Sequence, residues 1–264
     1  MDIITVDDFD LQQTLECGQC FRWIREPDAS YTGVVGRFVA NVTQVENKLI
    51  INSKAPTKFW SEYFDLERDY GEIKKQLSKD SVMREAIKAG GGIRLLKQPF
   101  WECLASFIIS QCNNIPRIMK IIESLCRNFG EEIEHGYYSF PEPDAIFAKD
   151  LSVIKCGYRD KYLQDAARRM LAGEDLSTKQ KLLEVNGVGE KVANCVLLFG
   201  AQKYDVFPAD VWIKRIVSEL YSIKEKNISE FARKNFAQYS GFAQQYLFFY
   251  ARDSRIFCND IEVI

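Results

Sequence analysis

The turn Asn186-Gly187-Val188-Gly189 constrains this chain more than any other feature, because no side chain shields the amides around its two glycines. It lies in LLEVNGVGEKVANCVLLFGAQKYDVFPADVWIKR, residues 182–215. Leu182, Leu183 and Val185 precede it. Val192, Cys195, Val196 and Phe199 follow at i, i+3, i+4, i+7 spacing, which predicts two helices joined by a tight turn. Unpaired amides at the start of a helix suit a phosphate oxygen. Lys191 falls in the first turn of the second helix, where the positive dipole end disfavours a cation. Asp210 follows Phe207-Pro208-Ala209 and opens a further apolar-periodic helix. Each residue alone has a plainer role. The turn joins two helices, the lysine is solvated, and the aspartate is an N-cap worth about 1 kcal/mol. Together, a lysine, a carboxylate and a phosphate-binding turn point to nucleophilic chemistry on a DNA backbone sugar.

Bulk properties leave room for that role. A chain of 264 residues buries a large core and is expected to form two or three subdomains. The 47% hydrophobic and 13% aromatic content mark a globular protein. Apolar runs fall far short of a membrane span and MDIITVDDFD lacks a signal-peptide profile, so an intracellular location without a membrane partner is expected. Eight scattered cysteines are then expected as free thiols. The net charge of −2 argues mildly against nucleic acid, but DNA needs only a local basic face. Basic residues gather at 155–169, 179–191 and 214–215, and acidic ones at the N-terminus and 131–150. A single histidine, His135 in an acidic loop, excludes a serine–histidine triad and His-rich metal sites. Cys17 and Cys20 form a C-x-x-C, yet no second pair lies at ligand spacing, so no metal and no organic cofactor is expected.

Residues 1 to about 90 read as a mixed α/β unit. QCFRWIRE, TGVVGRFVANVTQ and KLIINS carry strand-forming residues, and helical segments follow at about 57–65 and 71–88. Gly90-Gly91-Gly92 then breaks the chain. From Pro99 the pattern turns helical. PFWECLASFIISQ runs up to Asn113-Asn114, and Pro116 starts a helix with Ile118, Ile121, Ile122 and Leu125 on one face and Gly130 as its stop. In SGFAQQYLFFYARD, Gln244 and Phe248 share a helix face. One offers an amide for a base edge, the other a plane for stacking, although the neighbouring aromatics fit a plain core stripe.

Taken together, these segments resemble the helix-hairpin-helix DNA glycosylases, specifically their 8-oxoguanine glycosylase/lyase branch, from about Leu15 to Tyr250. The resemblance implies that Lys191 attacks the sugar C1′ and that Asp210 offsets the developing positive charge. The amides of Gly187, Val188 and Gly189 would hold a phosphate. CGQCFRW resembles the family's G-Q-S-F-R-W segment, in which the glycine carbonyl, here of Gly18, accepts the N7–H that 8-oxoguanine has and guanine lacks. Guanine presents a lone pair there and would be repelled. Cys195, Pro208, Gln244 and Phe248 would complete the base pocket. CNNIPR resembles N-N-N-I-A-R, so Asn113, Asn114 and Arg117 would fill the hole left by the base and grip the orphaned cytosine, with Cys112 in place of the first asparagine. GYR supplies Tyr158 as the wedge that unstacks the duplex and Arg159 as a second cytosine reader. The family's eukaryotic members carry a histidine and an aspartate where this chain has Trp212 and Ala251, so the charged pair is lost, phosphate contact near Asp210 must differ, and Trp212 would pack on the DNA sugar or on Ala251. The C-terminal DSRIFCNDIEVI holds only Cys258 and cannot supply the four-cysteine iron–sulfur cluster of endonuclease III-like relatives.

The fold class expected is α+β: an N-terminal antiparallel β-sheet domain over 1–92, then a mostly α-helical core over 93–264 with the helix-hairpin-helix at about 177–199. The function expected is bifunctional excision of 8-oxoguanine from duplex DNA through a Lys191 Schiff base, followed by β-elimination. Double-stranded DNA with an oxidised purine is the expected partner of a monomer. Two rivals stay open: a relative acting on another damaged base, and a non-catalytic DNA-binding module, which the Lys191/Asp210 pair disfavours.

Overall fold

Alternating β-branched and aromatic residues in the first fifty positions form one five-stranded antiparallel sheet. Its strands are β1 (Asp2–Thr5), β2 (Trp23–Arg25), β3 (Tyr31–Val35), β4 (Phe38–Val45) and β5 (Lys48–Ser53), in the order β1-β5-β4-β3-β2. The structure, a computed structural model, describes residues 1–253, and Cys258 lies outside them. The inward positions Ala40, Val42, Leu49 and Ile51 are sealed from solvent by Trp60, Tyr63 and Phe64, which follow on and just after the helix Thr57–Tyr63. Trp23 Nε1 donates to the Tyr63 hydroxyl at 2.9 Å, so the buried indole keeps a partner. The edge strand β1 was not foreseen; it pairs with β5 from Asp2↔Ile51 to Thr5↔Lys48.

The segment expected as one helix over 71–88 is two, Tyr70–Leu77 and Ser81–Gly90. Asp80 breaks it by capping the second: its Oδ1 accepts from Met83 N at 2.8 Å. Tyr70, Ile73, Leu77, Met83 and Ala86 join the apolar core of the helical half, whereas the sheet's own core runs from Val6 to Phe64 plus Leu96. Cys17 and Phe21 also belong to the helical core and Leu96 to the sheet's, so each core draws residues from both sides of the glycine run. Those glycines are packing sites. A Cβ on Gly90 would lie 2.8 Å from Phe249, and one on Gly92 2.4 Å from Asp10. The seam is held by buried Asp65, which accepts from Arg68 Nε at 2.5 Å and the Tyr70 hydroxyl at 3.1 Å and pairs with Lys97 at 3.0 Å.

The helical half is arranged around Phe100–Ile109, buried almost continuously from Trp101 to Ile109, as a helix apolar all round must be. Packed against it is Glu190–Phe199, buried from Val192 onward. Ile115–Phe129 carries its apolar face at Ile118, Ile121, Ile122 and Leu125, with Pro116 in its first turn and Gly130 at its end. Arg159–Leu171, Lys179–Leu183, Val211–Tyr221, Ile228–Asn235 and Ser240–Asp253 complete the layer. His135 sits, as expected, in a loop: the turn that joins a two-stranded ribbon, β6 (Glu132–Glu134) and β7 (Tyr137–Tyr138). No helix among the described residues is long and apolar enough to cross a membrane. The seven cysteines among them are unpaired.

Candidate active site

The hairpin forms where the glycines require it. Gly187 has φ +75°, and a Cβ there would lie 2.3 Å from the Tyr162 ring, so only glycine lets the turn seat on that ring. The turn is fixed from behind by the helix Arg159–Leu171: Asp165 Oδ2 accepts from Asn186 N at 2.9 Å and Arg169 Nη2 donates to Glu184 O at 2.8 Å. Val188 points inward, and its amide donates to Val185 O at 3.0 Å, so this residue is committed to the fold. Among the described residues no acceptor takes the amides of Gly187 and Gly189, which open to solvent at the start of Glu190–Phe199.

On that helix Lys191 is half-buried, its Nζ 5.1 Å from the centroid of the Phe107 ring. Cys195 lies one turn further. Burial pushes its thiol up to about 11, against the pull of the neighbouring Lys191 ammonium, so it is protonated at neutral pH. Asp210 is both a cap and a charge. Its Oδ1 accepts from Ile213 N at 2.8 Å, which closes the start of Val211–Tyr221 and fixes the carboxylate's orientation. Burial raises its pKa above the ordinary aspartate value, while the Ile213 amide and then Lys191 hold it down. Lys191, Cys195 and Asp210 thus share one electrostatic neighbourhood, and among the described residues no direct ion pair joins the lysine to the aspartate. Pro208 is buried, and the carbonyl of Phe207 before it accepts from Asn194 Nδ2 at 3.5 Å, which ties the Asp210 loop to the Lys191 helix. Trp212 and Val211 leave apolar surface exposed beside the carboxylate.

The residues expected to read the base come from the two ends of the chain. Gly18 adopts φ +81°, and a Cβ on it would lie 3.3 Å from Phe248 Cε1, so the turn lies against that ring. Gln244 is buried and its Oε1 has no hydrogen-bond partner. Such an acceptor costs roughly 1–3 kcal/mol unless a ligand satisfies it. The Phe107 ring joins the two sets: Lys191 lies over it, and Phe21, three residues after Gly18, meets it edge-on at 5.7 Å.

The third set carries the residues expected to open the duplex. Tyr158 is 52% exposed, with Arg159 4.6 Å over its ring and Tyr162 edge-on at 5.6 Å, so an aromatic blade projects on a firm base. Arg117 is exposed and forms no ion pair among the described residues. The asparagines serve the backbone. Asn114 Oδ1 caps Ile115–Phe129 by accepting from Arg117 N at 3.0 Å, and Asn113 Nδ2 donates to Ile109 O at 3.3 Å. Cys112 is exposed and left-handed at φ +46°. Arg159 is the surprise. Only 5% exposed, it donates from Nε to Gln111 O at 3.0 Å, from Nη1 to Cys156 O at 3.0 Å and from Nη2 to Cys112 O at 3.2 Å. Its guanidinium thus ties the 111–112 loop to the carbonyl of Cys156 beside the Tyr158 ring.

Several supporting residues escaped the sequence reading: Phe107 beneath the amine, Asn194, Tyr162 and Asp165 behind the hairpin, and Gln245. Only Asn194, a polar residue inside an apolar helical run, left a visible mark. A cleft of about 460 Å³ lined by Arg37, Trp101, Glu102, Glu131 and Glu142 contains none of the expected site residues. Among the described residues no group of three His, Cys, Asp or Glu side chains could hold a metal ion.

Residues 3–104 match the family model of the 8-oxoguanine DNA glycosylase N-terminal domain, and residues 105–239 that of the HhH-GPD superfamily base excision DNA repair proteins. A probable N-glycosylase/DNA lyase of Methanothermobacter thermautotrophicus is 28% identical over 95% of this chain and 96% of its own length. The N-glycosylase/DNA lyase of Saccharomyces cerevisiae is 30% identical over 81% of this chain and 68% of its own. Among solved structures, Clostridium acetobutylicum 8-oxoguanine glycosylase/lyase, bound to double-stranded DNA with cytosine opposite 8-oxoguanine, superposes with a TM-score of 0.90 at 39% identity. That match covers 95% of this chain and 94% of the other. MBOgg1 with a low-affinity DNA ligand gives 0.91 at 47% identity, covering 96% of each chain.

Proposed function

Since the chain belongs to the HhH-GPD superfamily and carries the N-terminal domain of the 8-oxoguanine DNA glycosylases, we propose the following assignment of its residues to excision of 8-oxoguanine from duplex DNA and nicking of the strand. It is a DNA N-glycosylase with lyase activity, working wherever the cell keeps its DNA. The observation that carries the assignment is the shared neighbourhood of Lys191 and Asp210, an amine over an aromatic ring with a buried carboxylate fixed beside it.

The exposed amides of Gly187 and Gly189 hold a backbone phosphate at the positive end of Glu190–Phe199. Tyr158 enters the base stack, which lowers the cost of rotating the lesion out. The everted base lies on Phe248, its N7–H donating to Gly18 O, and its N1–H and amino group facing the unpaired Oε1 of Gln244. Cys195 and Pro208 close the far side of the pocket. Deprotonated Lys191 Nζ attacks C1′. The C–N bond to the enzyme forms as the glycosidic bond breaks, the bonding pair leaves on the base, and the base takes up a proton. Asp210 offsets the positive charge that develops on the sugar. Ring opening gives a Schiff base, loss of a C2′ proton expels the 3′ phosphate, and hydrolysis frees the amine. Trp212 lies against the backbone beside Asp210, and Arg117 faces the orphaned cytosine.

Borohydride reduction with an 8-oxoguanine duplex tests this reading. A covalent adduct is expected with the wild type and none with Lys191→Gln. An adduct that survives that substitution overturns the assignment.

A further inference from the structure

Two consecutive glutamines on Ser240–Asp253 are both buried, yet neighbours on a helix point about 100° apart and cannot serve the same contact. Gln244 keeps a buried side-chain oxygen that has no partner. Gln245, 3% exposed, turns away and donates from Nε2 to Cys17 O at 2.8 Å, a bond spanning 228 residues of sequence.

The accepted carbonyl belongs to the peptide that joins Cys17 to Gly18, so its orientation fixes the plane from which the Gly18 carbonyl departs. On the other side of Gly18, the Gln19 side chain donates to Thr14 O at 2.9 Å and Arg94 O at 2.8 Å and accepts from Leu96 N at 2.9 Å. Gly18 is therefore a single free residue, at φ +81°, between two clamped ones. Gln245 supplies the only one of these clamps that comes from the helix bearing Phe248, the ring against which Gly18 rests.

The geometry points to Gln245 as a positioning residue that sets selectivity against undamaged guanine while touching neither base nor sugar. This rests on the reading of Gly18 O as the acceptor of N7–H. Discrimination at that atom is the difference between a hydrogen bond and a lone-pair repulsion, and both depend on where the carbonyl is held. Freed from Gln245, the Cys17–Gly18 peptide can swing, the repulsion of guanine relaxes, and the bond to 8-oxoguanine weakens. An abasic site presents no base, so cleavage there does not use this device.

The test is Gln245→Met in the full chain, with Gln245→Asn as a shorter amide. Excision from 8-oxoguanine and guanine duplexes is measured under single turnover, beside nicking of a preformed abasic duplex. For Gln245→Met the 8-oxoguanine-to-guanine ratio is expected to fall roughly ten- to hundredfold, the scale of a misplaced positioning group, with abasic nicking within about twofold of wild type. Gln245→Asn should fall between. Unchanged selectivity, an equal loss on the abasic duplex, or failure of both variants to fold overturns the proposal, the last two because they mark a structural amide. Wild type on an analogue with C–H at position 7 separates the premise. Equal excision of analogue and lesion sinks the Gly18 reading, whereas discrimination by wild type that survives Gln245→Met sinks only the role of Gln245.

Discussion

The half of the site proposed to react and the half proposed to read the base are built in opposite ways. Lys191, Cys195 and Asp210 come from one helix and the loop after it, with Asn194 as a short tie between them. Gly18, Gln244, Gln245 and Phe248 come from the two ends of the chain and meet where Gln245 reaches Cys17 and Arg252 reaches the Glu16 carbonyl. A nucleophile and its carboxylate need local order, which a hairpin supplies. Recognition of a single altered atom needs a carbonyl held from several directions, which only long-range packing supplies.

The largest effect should separate the halves outright. Lys191→Gln removes the attacking amine, so Schiff-base trapping and strand nicking should vanish, while lesion binding by gel shift stays near wild type. Asp210→Asn comes next. Single-turnover excision should drop about 10²–10³-fold, as for loss of one charge-stabilising group. Its stability should hold or rise. The folded pKa of Asp210 is raised, so its contribution is present below the unfolded aspartate range and is lost as pH rises through the folded value. Asparagine escapes that loss and still caps the helix. Thermal melts at pH 4 and pH 7 check the sign, and the acid limb of the wild-type rate profile should lie above the ordinary aspartate value.

On the reading side, Gly18→Ala must place a side chain in left-handed backbone, a strain of about 1–2 kcal/mol, and crowd Phe248. Excision of 8-oxoguanine should fall roughly tenfold or more with much less change on an abasic duplex. The effect with the least bearing on the lesion itself concerns the opposite base. Arg117→Ala should erase preference for cytosine, about 1–3 kcal/mol for a good base contact. Arg159→Ala should slow all four pairings alike, because its donors already serve Gln111, Cys112 and Cys156. Excision opposite each of the four bases decides between the two arginines.

The contrast also explains what the sequence could reveal. Lys191 and Asp210 were legible because turn and helix-start signals mark both within a short stretch, and Asp210 proved to be the N-cap that its position suggests as well as a charge beside the amine. The sheet was legible from alternation. The break at Asp80 was hidden by apolar positions Ile73, Leu77, Met83 and Ala86, which carry one periodic pattern across it. The bonds of Arg159 to the loop were hidden because charge is visible in sequence and burial is not. Gln245 and Phe107 carry no local mark at all, since an ordinary glutamine and phenylalanine acquire their roles from partners far along the chain.

The bond from Gln245 to Cys17 bears on how the molecule comes into being. Synthesis proceeds from the N-terminus, so the hairpin and its lysine leave the ribosome before the helix of residues 240–253. On the proposed reading, a chain that has not yet added this helix holds Lys191 but lacks Gln244, Gln245 and Phe248, so the base pocket is the last part of the site to be completed.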